Sequence, residues 1–183
     1  LLWLVVTVLV FSALVKLGFW QSARALEKER RLAQIEKLSA QRPLSLEQVV
    51  TLANDSHAFT EINDYPVFVD GEFDKTQVFL LDNQVNKGRL GYGAYQVAVT
   101  SKYVVLVNLG WLQGSVNRQE LPTVTALDGQ QQFKGHIRFI EQGILLQEQS
   151  FDQDHWPLRV QQIELDKFSA LIGRQLLPFV IYL

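Results

Sequence analysis

Hydrophobic positions change their spacing twice along this chain. Residues 1–15 form an almost unbroken apolar run, with Thr7 and Ser12 as its polar members and no charge. Twenty helical residues span about 30 Å, the thickness of a bilayer's hydrocarbon core. Lys16 lies a turn from the end of that span, where its stem rests in lipid while the ammonium reaches the interface. Trp20 falls at the depth of an interfacial aromatic anchor. The pattern predicts a transmembrane helix over residues 1–20. A cleaved signal peptide competes with it, Ala23-Arg24-Ala25 standing where cleavage would occur, although a signal core is usually about 7–15 residues long.

Residues 21–40 keep a thin helical stripe of Leu26, Leu32, Ile35 and Leu38 among mixed charges, which continues the anchor out of the membrane. Arg42-Pro43 stops that run, because the residue before proline disfavours helix. Ser45-Leu46-Glu47-Gln48 then reads as a capping box opening a short helix with Leu46, Val49, Val50 and Ala53 on its buried face. Residues 21–57 thus form a helical connector.

From Tyr65 onward the period is two. Tyr65, Val67, Val69 and Phe73 face one way, and Phe68, Asp70, Glu72 and Asp74 the other. A second strand is expected over 77–82, then a turn-rich stretch holding Gly88, Gly91 and Gly93. Tyr95, Val97 and Val99 alternate with Ala94, Gln96 and Ala98, and 103–107 reads as a strand covered on both faces. Further strands are expected at 131–140, 143–149 and 158–165. Asp166 is placed to cap a short helix closed by Gly173, before a last apolar strand over 176–183. Strands joined by short turns predict an α+β protein: an N-terminal transmembrane helix, amphipathic helices, and an antiparallel β-sheet or partly closed β-barrel over 58–183.

Composition narrows the chemistry. The net charge is −2, with 17 basic and 19 acidic residues interspersed, so no basic surface points to nucleic acid. The absence of cysteine removes disulfides, thiolate ligands and covalent haem attachment through thioethers. The three histidines, His57, His136 and His155, are too far apart for a compact metal motif. Gly88, Gly91 and Gly93 have the wrong order for a dinucleotide loop and read as turn glycines. Asp70, Glu72 and Asp74 fan out along one strand face rather than converging on a cation. His136 shares a face with Arg138, in a solvent-facing or hydrogen-bonded position, and His57 carries no assignment. Phe151-Asp152-Gln153-Asp154-His155-Trp156-Pro157 is the densest cluster. An Asp beside His155 has the chemistry of a base or ligand pair, and the plainer reading is a structured loop in which Trp156 packs.

Several stretches together resemble the Surfeit locus one family. Gly18-Phe19-Trp20-Gln21-Ser22-Ala23-Arg24 is similar to its signature at the end of the first membrane helix. Tyr65-Pro66-Val67 with Gly71-Glu72-Phe73 is similar to its first strand pair. Gly91-Tyr92 leads to Val107-Asn108-Leu109-Gly110-Trp111, close to an element in which the family usually has arginine where Leu109 stands. His155-Trp156-Pro157 and the run from Pro178 to Leu183 complete the order. The resemblance implies a divergent, non-enzymatic assembly factor for cytochrome c oxidase, truncated before a second membrane helix that would carry a haem ligand. It further implies a cofactor, haem a, and as partners the oxidase catalytic subunit, haem a synthase and the lipid bilayer. It places the residues after about 21 in the periplasm or intermembrane space, anchored in the inner membrane. Gly18, Gln21, Tyr65, Pro66, Gly71, Phe73, Asn108, Gly110, Trp111, His155, Trp156 and Pro157 become motif or partner-contact candidates.

In that light Trp20 offers an aromatic face to a porphyrin and Arg24 a guanidinium to a propionate. Interfacial anchoring and a lipid phosphate contact are the plainer roles for the same two residues. Two other classes stay open. A membrane-tethered hydrolase built on His155 with Asp152 or Asp154 requires a nearby exposed serine or a metal, and an envelope scaffold requires no cofactor.

Overall fold

The computed structural model of the chain describes residues 2–53, 62–115, 117, 120–140 and 156–183. Two compact units divide between Gln41 and Arg42. The first is helix α1 (Leu2–Ser39). Its apolar segment, within Leu2–Arg30, is long and apolar enough to cross a membrane, and its side chains lie exposed along their length. Thr7 Oγ1 donates to the Trp3 carbonyl at 2.9 Å and Ser12 Oγ to that of Val8 at 2.8 Å. Both hydroxyls are thereby satisfied within the helix.

The second unit begins with β1 (Leu44–Ser45) and α2 (Leu46–Ala53). The capping box forms reciprocally. Ser45 N donates to Gln48 Oε1 at 2.9 Å, and Gln48 N to Ser45 Oγ at 3.3 Å. Leu46, Val49 and Ala53 are buried in the core of the sheet, so α2 packs as part of this unit. The remaining elements are β2 (Pro66–Asn86), β3 (Arg89–Val99), β4 (Val104–Gln113), β5 (Gly129–Phe139), β6 (Leu158–Val160), α3 (Leu165–Ile172) and β7 (Leu176–Tyr182).

The strands form one seven-stranded mixed sheet in the order β1-β2-β3-β4-β7-β5, and β5 pairs again with β2. That extra pairing turns the path β2-β3-β4-β7-β5 back on itself, which removes sheet edges. It is possible because β2 is 21 residues long and reaches both β3 and β5. Pro66–Phe73 pairs with β5, while β2 from Glu72 onward pairs with β3. The two strands expected over 65–74 and 77–82 are therefore one, bent at a register shift between Phe73 and Val78. No glycine or proline lies there to break it. Instead the Asp74 carboxylate accepts from Thr76 N at 2.8 Å and Thr76 Oγ1 at 2.6 Å, a local turn inside a continuous strand.

Three pairings are parallel, β1–β2, β2–β6 and β4–β7. Parallel neighbours need crossovers longer than a tight turn. Here α2 lies in the connection from β1 to β2, and β7 follows α3. Alternate residues feed opposite faces of the ring. Val105, Val107, Phe179 and Ile181 share a cluster with Val67, Val69, Phe73, Ile137 and α2. Leu106, Val180 and Leu176 pack on the other side with Phe79, Leu158, Val160 and Phe168 of α3.

The strand expected over 158–165 is only Leu158–Val160, because Leu165 already opens α3. The N-cap of α3 is Glu164, with no side-chain cap bond, and Asp166 lies in the first turn rather than capping it. Gly173 closes α3 in the left-handed conformation, φ 68°, as its sequence position predicts. Gly88, φ 75°, is a turn glycine, but Gly91 and Gly93 are buried within β3. A Cβ on Gly91 would sit 2.1 Å from the Leu112 carbonyl and 2.7 Å from the Trp111 ring, so close strand approach accounts for that glycine. The strand expected over 143–149 lies outside the described residues.

Candidate functional site

The residues singled out by sequence fall into separate constellations. On α1, Gly18 faces open space, Trp20 is 58% exposed and Gln21 is exposed. The Arg24 guanidinium carbon lies 5.8 Å from the Trp20 ring centroid, one helical turn on, a cation–π spacing. This pair has the chemistry to meet a flat conjugated ring and a carboxylate. It contains no axial ligand for an iron, so it fits the periphery of a haem and not its metal. The one described histidine, His136, is half-buried in β5 of the other unit, opposite Pro66 and Tyr182.

At the start of the ring, Tyr65 is half-buried, its N–H donating to the Ile62 carbonyl at 3.2 Å and its carbonyl accepting from Ile137 N at 3.0 Å. Pro66 opens β2, where a missing N–H costs least. Gly71 is buried with the Val99 carbonyl 3.4 Å from where a Cβ would be. Phe73 is buried with its ring centroid 5.3 Å from that of Phe133. These four residues lie at the start and along the first half of β2.

The Asn108-Leu109-Gly110-Trp111 element is a shaped irregularity in β4. Asn108 pairs with Tyr95 and Gly110 with Ala94, which leaves Leu109 as the extra residue of a bulge. Gly110 has φ 110°, a conformation that favours glycine, and its N–H donates to Asn108 Oδ1 at 2.7 Å. Trp111 Nε1 donates to the Gln84 carbonyl at 2.9 Å, tying β4 to the far end of β2. Leu109, where the family usually has arginine, packs half-buried between two apolar clusters. The contacts at that position are apolar.

Trp156 and Pro157 are joined by a cis peptide bond. Trp156 packs edge-on to Phe79 at 5.3 Å, and Phe79 stacks on Phe168 at 4.1 Å. His155 lies outside the described residues, as do His57, Asp152 and Asp154. Trp156 and Pro157 also form one wall of an open groove of about 490 Å³. Its floor is Lys75, Thr76 and Val78 of β2, and its other wall is Leu121–Val124 with Ala126. That second wall has no regular secondary structure and is pinned from below by Gln96, which is completely buried. Gln96 Nε2 donates to the carbonyls of Asp74 at 3.0 Å and Leu127 at 2.7 Å, and its Oε1 accepts from Leu127 N at 2.9 Å. The cation of the groove is paired outward, Lys75 Nζ to Asp128 Oδ2 at 3.0 Å. Thr76 Oγ1 donates to Asp74, whose pKa is lowered chiefly by that bond.

Such a groove offers apolar contact and the hydroxyls of Thr76 and Thr123. Among the described residues no cluster of three or more histidines or carboxylates is placed to hold a metal ion.

A cluster that sequence reading missed joins four strands. The hydroxyls of Tyr95 and Tyr182 lie 3.1 Å apart, with their rings perpendicular. The Asn108 side chain also hydrogen-bonds Tyr95. Arg138 lies 4.9 Å over the Tyr182 ring and pairs with Asp64 Oδ1 at 3.1 Å. Burial, then the neighbouring Tyr182, pushes the Tyr95 phenol up from its ordinary value. The alternation of β3 puts Tyr95 on one face with Val97 and Val99, but its partners come from β4, β5 and β7, which no local pattern joins.

Compared with protein-family models, the chain matches the SURF1 family over residues 8–183. No curated protein matches it.

Proposed function

The chain belongs to the SURF1 family of cytochrome c oxidase assembly factors, and from that premise we propose that it holds the haem-bearing catalytic subunit of the oxidase while haem a is put in place. Its family is one of assembly factors rather than a class of enzymes. The observation that carries the reading is the extent of the match, which takes in most of the apolar helix and the whole ring. In this reading α1 anchors the chain in the inner membrane, and the ring works on the periplasmic or intermembrane-space side. Trp20 and Arg24 then lie at the lipid surface, where haem a, with its long apolar tail, would be presented. Trp20 packs on the edge of the ring system and Arg24 pairs with a propionate. Haem a synthase is the matching donor.

A cofactor-free scaffold is the second reading. What favours it is that Asn108, Gly110, Trp111 and Trp156 are engaged in holding strands together.

The separating experiment purifies the full-length protein from cells making haem a and records its visible spectrum alongside the subunits that co-purify. A reduced haem a band that weakens in Arg24→Glu supports the handover reading. A band unchanged by that substitution removes Arg24 from it. A colourless protein that brings down the catalytic subunit selects the scaffold, and a colourless protein with no partner refutes both.

A further inference from the structure

The hairpin joining β2 to β3 ends in an exposed apolar pair flanked by cations. Val85 and Leu90 are cross-strand partners, so their side chains lie on the same face of the ribbon. They are 68% and 45% exposed, although elsewhere in this unit large apolar residues are mostly buried. Asn86 pairs with Arg89 across a two-residue turn of Lys87 and Gly88, both with positive φ, at 49° and 75°. This is the tight turn whose twist matches its strands, so the tip is rigid. The chain carries a net charge of −2, yet residues 83–92 hold Lys87 and Arg89 and no acid. Arg89 Nη1 donates to Gln113 Oε1 at 3.3 Å, which steadies the guanidinium without neutralising it. The nearest carboxylate along the strand, Asp82, accepts from Asn83 N at 2.7 Å.

We infer that this tip is a second membrane contact, docking on an anionic lipid surface with Val85 and Leu90 at the headgroup boundary and Lys87 and Arg89 against lipid phosphates. Three observations select a bilayer as the occupant. The same chain carries a helix long and apolar enough to cross a membrane, which holds a bilayer at high effective concentration. Two cations beside an apolar pair complement an anionic interface, with a contribution of roughly fivefold in binding per cation. Two side chains also fall far short of the roughly 800 Å² per partner that a specific protein interface buries. The backbone of the tip is satisfied by its own ladder, so contact with the interface strands few polar groups.

The absence of cysteine makes the test clean. Val85→Cys in the full chain is labelled with an environment-sensitive fluorophore and placed in lipid nanodiscs containing lipid-borne quenchers. Asp128→Cys, on an exposed residue of the same unit, is the control. The expected result is stronger quenching at position 85 than at 128 in discs containing phosphatidylglycerol. That quenching weakens in purely zwitterionic discs, in high salt, and about fivefold in the binding equilibrium with Lys87→Gln. Equal quenching at the two positions overturns the inference. So does a blue shift at position 85 that grows with protein concentration without lipid quenching, which would report a second copy instead. Leu90→Cys repeats the measurement should the first label disturb the turn, and circular dichroism confirms folding of each variant.

Discussion

Replacing Gln96 by leucine removes a side chain of similar size whose amide completes three backbone hydrogen bonds, to the carbonyls of Asp74 and Leu127 and from the N–H of Leu127. Each buried backbone group left without a partner costs about 1–3 kcal/mol. Some of that is recovered by water reaching a part-buried wall and by the apolar gain of leucine, so a net loss of about 3 kcal/mol is expected. At roughly 2–4 °C per kcal/mol for a chain of this size, the thermal midpoint should fall by about 6–12 °C. Differential scanning fluorimetry of the detergent-solubilised protein reads this directly. Gln96→Glu sharpens the test at constant shape. It keeps the acceptor for Leu127 N but turns a carboxylate oxygen toward two carbonyls. Burial and those carbonyls raise the pKa of the new acid in the folded state, so folding favours its protonated form. The sign follows from linkage. The variant is most stable below the ordinary Glu value of about 4.3 and loses stability as the pH rises through the folded value. Its midpoint should therefore recover on acidification relative to the parent protein. A midpoint within about 2 °C of the parent for Gln96→Leu, or no acid recovery for Gln96→Glu, would refute the account of Gln96 as the pin of the 121–127 wall.

Two other outcomes follow from the geometry. Gly110→Ala forces a Cβ into φ 110° at the β4 bulge, a strain of about 1–3 kcal/mol, and should lower the thermal midpoint although nothing crowds the site within 4 Å; an unchanged midpoint would show that the bulge relaxes freely. The raised pKa of Tyr95 means that its stabilising contribution is complete below the ordinary tyrosine value of 10.0 and is lost as the pH rises above it. Stability measured from pH 9 upward should therefore fall less steeply in Tyr95→Phe, and parallel curves would remove Tyr95 as the cause.

Much of the candidate chemistry was legible as motif and changed its meaning in three dimensions. Val107-Asn108-Leu109-Gly110-Trp111 reads as a contact element. Folded, Asn108 accepts the Gly110 N–H and Trp111 reaches the Gln84 carbonyl, so the motif shapes a bulge and clasps two strands. Trp156 was expected to pack and does, against Phe79. Gln96 alternates with Tyr95 and Val97 along its strand, but its partners lie 22 and 31 residues away in sequence. Tyr95 and Tyr182 are separated by 87 residues. No pattern within one period of a strand carries such pairings.

What the sequence determined by itself is what local physics decides. An uninterrupted apolar run makes a helix long and apolar enough to cross a membrane, because its backbone bonds close within one segment. Ser45 and Gln48 open α2 because each side chain reaches the other's N–H within a single turn. Gly173 ends α3 because its left-handed backbone favours glycine. The tertiary structure alone decided that β2 runs unbroken past Asp74, that β7 lies parallel to β4, and that β5 returns to β2. Those outcomes rest on strand edges that must find partners and on apolar faces that must be covered from both sides. Such a requirement is met by the whole set of strands at once and is written in no one of them.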